Sequence, residues 1–272
     1  MSLRDVNGTK LWVEDSGPGS TGETLAFSHG LLWDTTLFAP QVAALRDRYR
    51  CVAWDHRGQG RSASDHRHCI DMELVWQDAV ALLEQLDAGP VHFVGLSMGG
   101  FVALRMGARR PDLVRSLVLV ETSADPEPME SVGKYRMLTR VSRAFGTGIV
   151  KKQVASIMLG KSIRGDRARR GEVAQYANLM AARRDIWRAV NGVIDRAGVA
   201  GELARIRTPS LVVVGDEDTA TPPAKAERLV AGIAHAKLAV IPRAGHSSTV
   251  EEPVAVTAAI ESFIAAQRAA RN

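Results

Sequence analysis

A glycine-flanked serine is the residue of this chain that is best placed to do chemistry. Ser97 lies in the pentapeptide Gly-Leu-Ser-Met-Gly, after the apolar run Val91–Val94 and before a stretch with helical character. Glycine two positions either side of a serine permits a sharp strand-to-helix turn, because larger side chains would hold the strand and the helix apart. Such a turn lifts the serine hydroxyl clear of the backbone. The pattern therefore predicts a nucleophilic serine at position 97.

His246 is the histidine best placed to serve as the base for this serine. A serine hydroxyl is a weak nucleophile at neutral pH and needs a base within hydrogen-bond reach. His246 follows the last predicted strand and precedes the last predicted helix, and functional groups of open parallel sheets gather in loops at the carboxyl edge. We expect His246 to be the base. His56, in a turn-rich segment after an earlier strand, is expected to be structural.

The acid that orients the histidine should follow another core strand. The predicted strand Ser210–Val214 leads, after one glycine, into the sequence Asp-Glu-Asp. Asp216 abuts this strand and fits a loop cap, whereas Asp218 lies far enough into the loop to turn back toward His246. We expect Asp218 to be the acid. Asp125, after the strand that follows the serine helix, is the alternative.

Two backbone N–H groups are expected to stabilise negative charge on the reacting oxygen, which is usually the largest electrostatic contribution to acyl transfer. One is assigned to Met98, directly after the serine, and the other to Leu31, after a His-Gly bend. Leu32 is the near alternative. The chain order Ser97, Asp218, His246 is the one expected when the serine occupies a strand-to-helix elbow. This chemistry requires no metal and no organic cofactor.

The elements that would hold these residues alternate between apolar strands and amphipathic helices. This alternation is typical of an α/β fold with a mostly parallel, twisted sheet and helices on both faces. The strands from Val91 onward are nearly continuously apolar, so we expect them to be buried on both faces, and Gly17–Gly22 is interpreted as a hairpin loop. The predicted strands are Lys10–Glu14, Thr24–Ser28, Arg50–Trp54, Val91–Val94, Ser116–Val120, Ser210–Val214 and Lys237–Ile241. The predicted helices are Phe38–Asp47, Met72–Leu86, Met98–Arg109, Pro223–Ile233 and Pro253–Ala266.

The alternation stops over residues 126–206, called here the inserted segment. We expect it to form a helical lid on a core made of residues 1–125 and 207–272. Its methionines fit either helix packing or the lining of a substrate channel. The helical patches of the segment are Tyr135–Phe145, Val150–Met158, Glu172–Ala182 and Asp185–Ile194, and its methionines are Met129, Met137, Met158 and Met180.

The net charge of +5 is unevenly distributed. Residues 131–207 carry 17 Lys and Arg against five acids, a net +12, so the rest of the chain carries −7. We expect no nucleic-acid partner, because the basic side chains fit a solvated helix face without interleaved aromatic residues. The excess leaves open an anionic, carboxylate-bearing substrate.

Two features favour a cytoplasmic protein without a membrane partner. The first five residues hold no apolar signal core, and no run approaches the ~18 apolar residues of a membrane span. Cys51 and Cys69 have no metal-ligand spacing around them and are expected to be reduced thiols.

Over about residues 1–125 and 207–268, the chain resembles the α/β-hydrolase superfamily. In that family the acid commonly lies three residues after the strand-ending glycine, which supports Asp218. The segment after His29 is similar to arylesterases and cofactor-free haloperoxidases, and the sequences around Ser97 and His246 are similar to 3-oxoadipate enol-lactonases. The motifs that carry the resemblance are His29-Gly30, residues 55–62 (DHRGQGRS), residues 95–100 (GLSMGG), residues 215–218 (GDED) and Gly245-His246.

The resemblance implies a serine hydrolase that cleaves a small-molecule carboxylic ester or lactone through an acyl-enzyme intermediate. Relatives with a carboxylate nucleophile are disfavoured by Ser97, and carbon–carbon bond hydrolases are disfavoured by Ser247, where they usually carry Trp. Two alternatives remain. One is perhydrolysis at the same three residues, with Trp33 shaping the pocket or packing against the lid. The other is a non-catalytic small-molecule receptor.

Overall fold

The computed structural model describes residues 1–181 and 185–269, and within them the chain folds around one eight-stranded sheet. The strand order is β1-β2-β4-β3-β5-β6-β7-β8, with β1 and β2 antiparallel to their neighbours and the rest parallel. The predicted, mostly parallel sheet is confirmed. The strands are β1 (Ser2–Val6), β2 (Thr9–Asp15), β3 (Thr24–Ser28), β4 (Arg50–Trp54), β5 (Val91–Leu96), β6 (Val114–Val120), β7 (Ser210–Gly215) and β8 (Lys237–Ile241).

Helices cover both faces of the sheet, as predicted. These helices are α1 (Ala39–Leu45), α2 (Met72–Gln85), α3 (Met98–Arg109), α9 (Pro223–Gly232) and α11 (Pro253–Ala269), and the short helix α10 (Ser248–Glu251) precedes α11. On one face of the sheet the buried residues Leu82, Val102 and Leu229 come from α2, α3 and α9. On the other face Leu45 and Ile260 come from α1 and α11.

Between β6 and β7, the described residues form helices and no strand. The helix over Tyr135–Phe145 begins earlier than predicted, at Met129, and the end of the predicted helix Glu172–Ala182 lies outside the described residues. The α-helices are α4 (Met129–Phe145), α5 (Lys151–Met158), α6 (Lys161–Gly165), α7 (Arg170–Met180) and α8 (Trp187–Ile194). Met158 and Met180 are buried, whereas Met129 and Met137 are 82% and 66% exposed.

The amino-terminal hairpin corrects one expectation. β1 and β2 pair through Asn7-Gly8, whose φ angles of 45° and 73° suit the tight turns that Asn-Gly favours. The interpretation of Gly17–Gly22 as a hairpin loop is wrong, because these residues connect β2 to β3, and β4 lies between those two strands.

Burial of the last strand corrects a second expectation. β5 and β7 are buried at every position, but in β8 Leu238 and Val240 are 42% and 49% exposed. β8 is an edge strand and pairs with β7 alone within the described sheet. An apolar run therefore did not distinguish an edge strand from a central one.

No helix among the described residues is both long enough and apolar enough to cross a bilayer.

The two cysteines are free thiols, of which Cys51 is buried and Cys69 is partly exposed. Burial raises the pKa of Cys51 to about 12, so this side chain is a protonated core residue.

Candidate active site

Ser97 lies at the sharp turn between β5 and α3. Its backbone has φ 53° and ψ −110°, a left-handed conformation that is strained for a residue with a side chain. The turn is held by hydrogen bonds from Ser97 N–H to Val120 O (2.9 Å) and from Thr122 Oγ1 to Ser97 O (2.9 Å). A Cβ at Gly99 would overlap the backbone of β3, so a larger residue there would push α3 away from the sheet. The glycines that flag the motif are thus required by this close approach.

Three side chains from separate loops form one buried hydrogen-bonded array. His246 Nε2 lies 2.8 Å from Ser97 Oγ, and His246 Nδ1 lies 2.8 Å from Asp218 Oδ2. With Asp218 as acceptor, the imidazole carries its proton on Nδ1 and leaves Nε2 free to accept the Ser97 proton. The loops follow β5, β7 and β8, whose carboxyl ends meet at one edge of the sheet.

Asp218 is a well-supported anion in this array. Its carboxylate also accepts hydrogen bonds from Ala220 N–H (2.8 Å), Thr221 N–H (3.0 Å) and Thr221 Oγ1 (2.7 Å). Burial raises the pKa of Asp218, but the charge and hydrogen bond of His246, with the bonds from Glu121 and Thr221, outweigh burial and hold the pKa below its usual value. Asp218 therefore stays ionised and can favour a positive charge on His246.

The two alternative acids have other partners. Asp216 Oδ1 accepts from Arg243 N–H at 2.7 Å, which makes it the loop cap that its position suggested. Asp125 forms ion pairs with Lys225 and Arg228 on α9. Of the three aspartates considered from the sequence, Asp218 is the one that the structure brings to His246.

The backbone around Leu31 and Met98 has the features expected of an oxyanion site. Met98 is the first residue of α3, so its N–H has no acceptor within the helix. Leu32 N–H donates to Gln59 Oε1 at 3.1 Å, which leaves Leu31 as the stronger of the two candidates in this loop. Gln59 Nε2 also donates to Met98 Sδ at 3.5 Å. Gln59, which the sequence did not single out, therefore joins Leu32, the neighbour of Leu31, to the side chain of Met98.

Two buried histidines fix the loop that leads to Leu31. His56 N–H donates to His29 Nε2 at 2.9 Å, so the His29 proton is on Nδ1, which donates to Gly30 O at 2.7 Å. His56 Nε2 lies 3.0 Å from Ser28 Oγ. Burial lowers the pKa of both imidazoles, so both are neutral. His56 is structural, as expected.

Glu121 is a second buried carboxyl group at this site. It directly follows β6, and both of its carboxyl oxygens lie 3.0 Å from Gly215 N. Burial, and then the negative charge of Asp218, raise the pKa of Glu121 well above its usual value, and its side chain hydrogen-bonds to Asp218. Glu121 is therefore a neutral acid that donates to the Asp218 carboxylate. Its position directly after β6 was a usable sequence signal, but Asp125 was the only acid considered after that strand, as the alternative to Asp218.

A cavity of about 170 Å³ opens beside Ser97 and His246. Its walls come from the core and from the inserted segment, and most of them are apolar. Over residues 1–181 and 185–269, the Lys and Arg side chains that line it are compensated, because Arg196 pairs with Glu127 at 2.6 Å and Lys225 pairs with Asp125. The described apolar lining residues are Leu31, Leu32, Phe101, Pro128, Leu138, Val150, Val154, Ile157, Met158, Met180, Ala181, Ile186, Val190, Val193, Ile194 and Ala220.

Comparison with known proteins places this chain in a family. A model of the family described as serine aminopeptidase S33 matches residues 19–253, well over half of the chain. The chain belongs to this family of α/β-hydrolases. It is therefore a hydrolase, and the superfamily resemblance read from its motifs is confirmed.

Relatives of this hydrolase match it over nearly their whole length. A protein of Caulobacter sp. named carbamate hydrolase RutD is 30% identical, with 93% of this chain and 94% of the relative covered. A thermophilic esterase from Thermogutta terrifontis superposes with a TM-score of 0.89 at 26% identity, covering 98% of this chain and 99% of that one. An enol-lactonase from Burkholderia xenovorans superposes with a TM-score of 0.87 at 25% identity, covering 97% and 100%.

Proposed function

We propose that this hydrolase cleaves a neutral carboxylic ester or lactone through an acyl-enzyme intermediate on Ser97. The observation that carries the proposal is the array in which Ser97 Oγ lies 2.8 Å from His246 Nε2 and Asp218 Oδ2 lies 2.8 Å from His246 Nδ1. Nucleophile, base and orienting acid are all within hydrogen-bond reach, as covalent acyl transfer requires.

The proposed reaction has two halves. Ser97 Oγ attacks the carbonyl carbon while His246 Nε2 takes the hydroxyl proton, which it then gives to the leaving alkoxide oxygen. In the second half, His246 takes a proton from water, the hydroxide attacks the acyl carbon, and the proton returns to Ser97 as the carboxylic acid leaves. The N–H groups of Leu31 and Met98 hold the oxyanion in both halves.

The cavity supports a neutral, largely apolar acyl group. Arg196 of the inserted segment and Lys225 of α9 are ion-paired with Glu127 and Asp125, so neither of these described cations brings an uncompensated charge to the cavity. Among the wall residues that the structure describes, a carboxylate-bearing substrate would find no unpaired cation, whereas an alkyl or aryl group would replace water on apolar surface. The names of the esterase and lactonase neighbours support ester or lactone chemistry.

The inserted segment is proposed to be the lid that forms the acyl site. Leu138 on α4 and Val154 on α5 line the cavity opposite Ser97 and Leu31, which belong to the core. Trp33 is buried and packs against Tyr176 of α7 with ring centroids 5.5 Å apart, which supports a role in holding the segment to the core.

The test is covalent labelling combined with a substrate panel. Wild type should react with a fluorophosphonate probe at Ser97 and hydrolyse neutral p-nitrophenyl esters or small lactones. Ser97→Ala should lose labelling and about 10⁴-fold or more of the turnover, given what loss of a serine nucleophile costs. Turnover by Ser97→Ala at the wild-type rate would overturn the proposal.

Two further assays on wild type separate the remaining alternatives. Peracid formation with hydrogen peroxide that outpaces ester hydrolysis would indicate perhydrolysis. Tight ligand binding without turnover on any ester, lactone or carbamate of the panel would indicate a receptor.

A further inference from the structure

The carboxylate of Glu251 spans the backbone of His246. Glu251 Oε2 accepts from Gly245 N–H at 3.0 Å, and Oε1 accepts from Ser247 N–H at 3.0 Å, so the residues on both sides of the histidine bind one carboxylate. Glu251 is the last residue of α10 and is buried. Because the two bonds hold the backbone on both sides of His246, they restrict the position of its imidazole ring.

The same carboxylate also binds the inserted segment. Gly160 N–H donates to Glu251 Oε2 at 2.8 Å, and Ser247 Oγ donates to Met158 O at 2.8 Å. Gly160 lies against this loop so closely that a Cβ on it would be 2.8 Å from Gly245 N and 2.9 Å from Glu251 Oε2. One buried side chain thus joins the His246 loop to the segment that lines the cavity.

Glu251 is also close enough to His246 for their charges to interact. Burial raises the pKa of Glu251 above its usual value, and the three N–H bonds and the charge of His246 offset only part of this effect. The ionisable groups around the imidazole are Asp218 in the loop after β7, Glu251 on α10 and, behind Asp218, Glu121 at the end of β6. An ionised Glu251 favours the imidazolium that forms when His246 takes the Ser97 proton.

We propose that Glu251 is a positioning residue, which holds His246 at Ser97 and ties that histidine to the inserted segment. The inference rests on the proposed function for its effect on turnover, but its effect on the imidazole can be measured without turnover. An acceptor of three backbone N–H groups cannot be replaced by an amide, because the amide presents an N–H donor where one carboxylate oxygen accepted.

The experiment compares Glu251→Gln with the matched control Glu217→Gln. Glu217 also binds the inserted segment, through Ser162 N–H (2.7 Å) and Ser162 Oγ (2.6 Å), but its carboxylate bonds do not reach the His246 backbone. For E251Q we expect kcat to fall about 10- to 100-fold with KM nearly unchanged, the range typical of a misplaced catalytic group. The acid limb of kcat/KM should move to lower pH, because one negative charge beside the imidazolium is lost.

The readout that does not depend on turnover is the ¹H–¹⁵N NMR titration of the His246 ring. The titration midpoint should be lower in E251Q than in wild type and unchanged in E217Q. Glu251→Asp keeps the negative charge on a shorter side chain, so the His246 midpoint should return to the wild-type value while kcat stays low. If circular dichroism shows that E251Q does not fold, Glu251→Asp takes its place as the test variant.

Two results would overturn the inference. One is a wild-type His246 midpoint and kcat in both Glu251 variants. The other is an equal shift in E217Q, which would mean that any loosening of the inserted segment suffices. Failure of the proposed function would look different, because wild type would then not label at Ser97 while the NMR shift in E251Q would still report on His246.

Discussion

Glu121 and Asp218 form a buried pair of carboxyl groups in which the neutral acid donates to the carboxylate. Glu121 is held by Gly215 N–H at the end of β7, and Asp218 accepts from His246. Two ionised carboxylates buried this close together would repel strongly, so one proton shared between them is the stable arrangement. The acid beside His246 thus has a donor on its far side that fixes its orientation.

We expect Glu121→Gln to keep most of the activity and Glu121→Ala to lose it. The glutamine amide can accept from Gly215 N–H and donate to Asp218, as the neutral acid does, so kcat should stay within about 3-fold of wild type. Alanine leaves Gly215 N–H without its acceptor and Asp218 without its donor, which costs about 1–3 kcal/mol per buried group. Steady-state kinetics of both variants checks this, and a large loss in E121Q would mean that Glu121 acts as a charge.

The stability of the same variant should depend on pH in a defined direction. Burial and Asp218 raise the pKa of Glu121 in the folded protein, so the folded state binds this proton more tightly than the unfolded chain. The stabilisation is complete below the unfolded pKa of about 4.3 and is lost as the pH rises through the folded pKa. E121Q lacks this loss, so its free energy of unfolding relative to wild type should increase from pH 5 to pH 9 in urea denaturation. An equal difference at both pH values would contradict a neutral Glu121.

Gln59 is predicted to support the oxyanion site. It accepts from Leu32 N–H and donates to Met98 Sδ, so it connects the two loops that carry the candidate donors. Loss of a whole oxyanion donor lowers kcat about 10²–10³-fold. Gln59→Leu removes no donor and only makes the position of one less fixed, so it should lower kcat about 10-fold. The affinity for a boronic acid inhibitor should fall in parallel, while KM stays nearly constant.

The control for Gln59→Leu is Gln85→Leu. In the wild type, the Gln85 amide donates to Asp5 O at the protein surface, far from the candidate oxyanion residues in the sequence. Gln85→Leu should leave both kcat and inhibitor affinity at wild-type values. If Q59L and Q85L behave alike, the bridge has no role in binding the oxyanion.

The Glu127–Arg196 pair is predicted to keep the cavity selective for neutral substrates. Arg196 is 5% exposed at its side chain, pairs with Glu127 and lies over the Phe101 ring at 4.2 Å. Glu127→Gln leaves its charge uncompensated, so kcat/KM for p-nitrophenyl hemisuccinate relative to p-nitrophenyl butyrate should rise about 10-fold, equivalent to about 1.4 kcal/mol. Glu130→Gln, the same charge change at an exposed site on α4, should leave the ratio unaltered. A ratio that moves equally in both would point to long-range charge alone.

The sequence was sufficient where chemistry and local geometry coincide. Glycines flank Ser97 because the turn leaves no room for a side chain at those positions. Asp218 and His246 follow strands that end at the same edge of the sheet as the strand before Ser97. The parallel sheet was predictable because its central strands are continuously apolar.

The sequence was insufficient where a residue's environment comes from distant parts of the chain. Glu121 is neutral because of burial and the nearby charge of Asp218, and Asp218 is far from it in sequence. Glu251 likewise has one hydrogen-bond donor, Gly160 N–H, from a distant part of the chain. The start of α4 at Met129 was missed because no side-chain cap marks it. The Asn7-Gly8 hairpin, in contrast, carries a recognisable turn signal, but it was missed because the first predicted strand began at Lys10.

The acyl length that the enzyme accepts should be set by the inner face of α4. Leu138 on that face lines the cavity, whereas its neighbour Met137 is 66% exposed and is not among the lining residues that the structure describes. Leu138→Ala makes room for about two more methylenes, worth about 0.8 kcal/mol each when buried, so kcat/KM for the octanoate relative to the butyrate p-nitrophenyl ester should rise about 10-fold. Met137→Ala removes a side chain of similar size from the same helix and should leave the ratio unchanged. Equal ratios in the two variants would mean that α4 does not form the acyl wall, and that the inserted segment is not the lid proposed for this site.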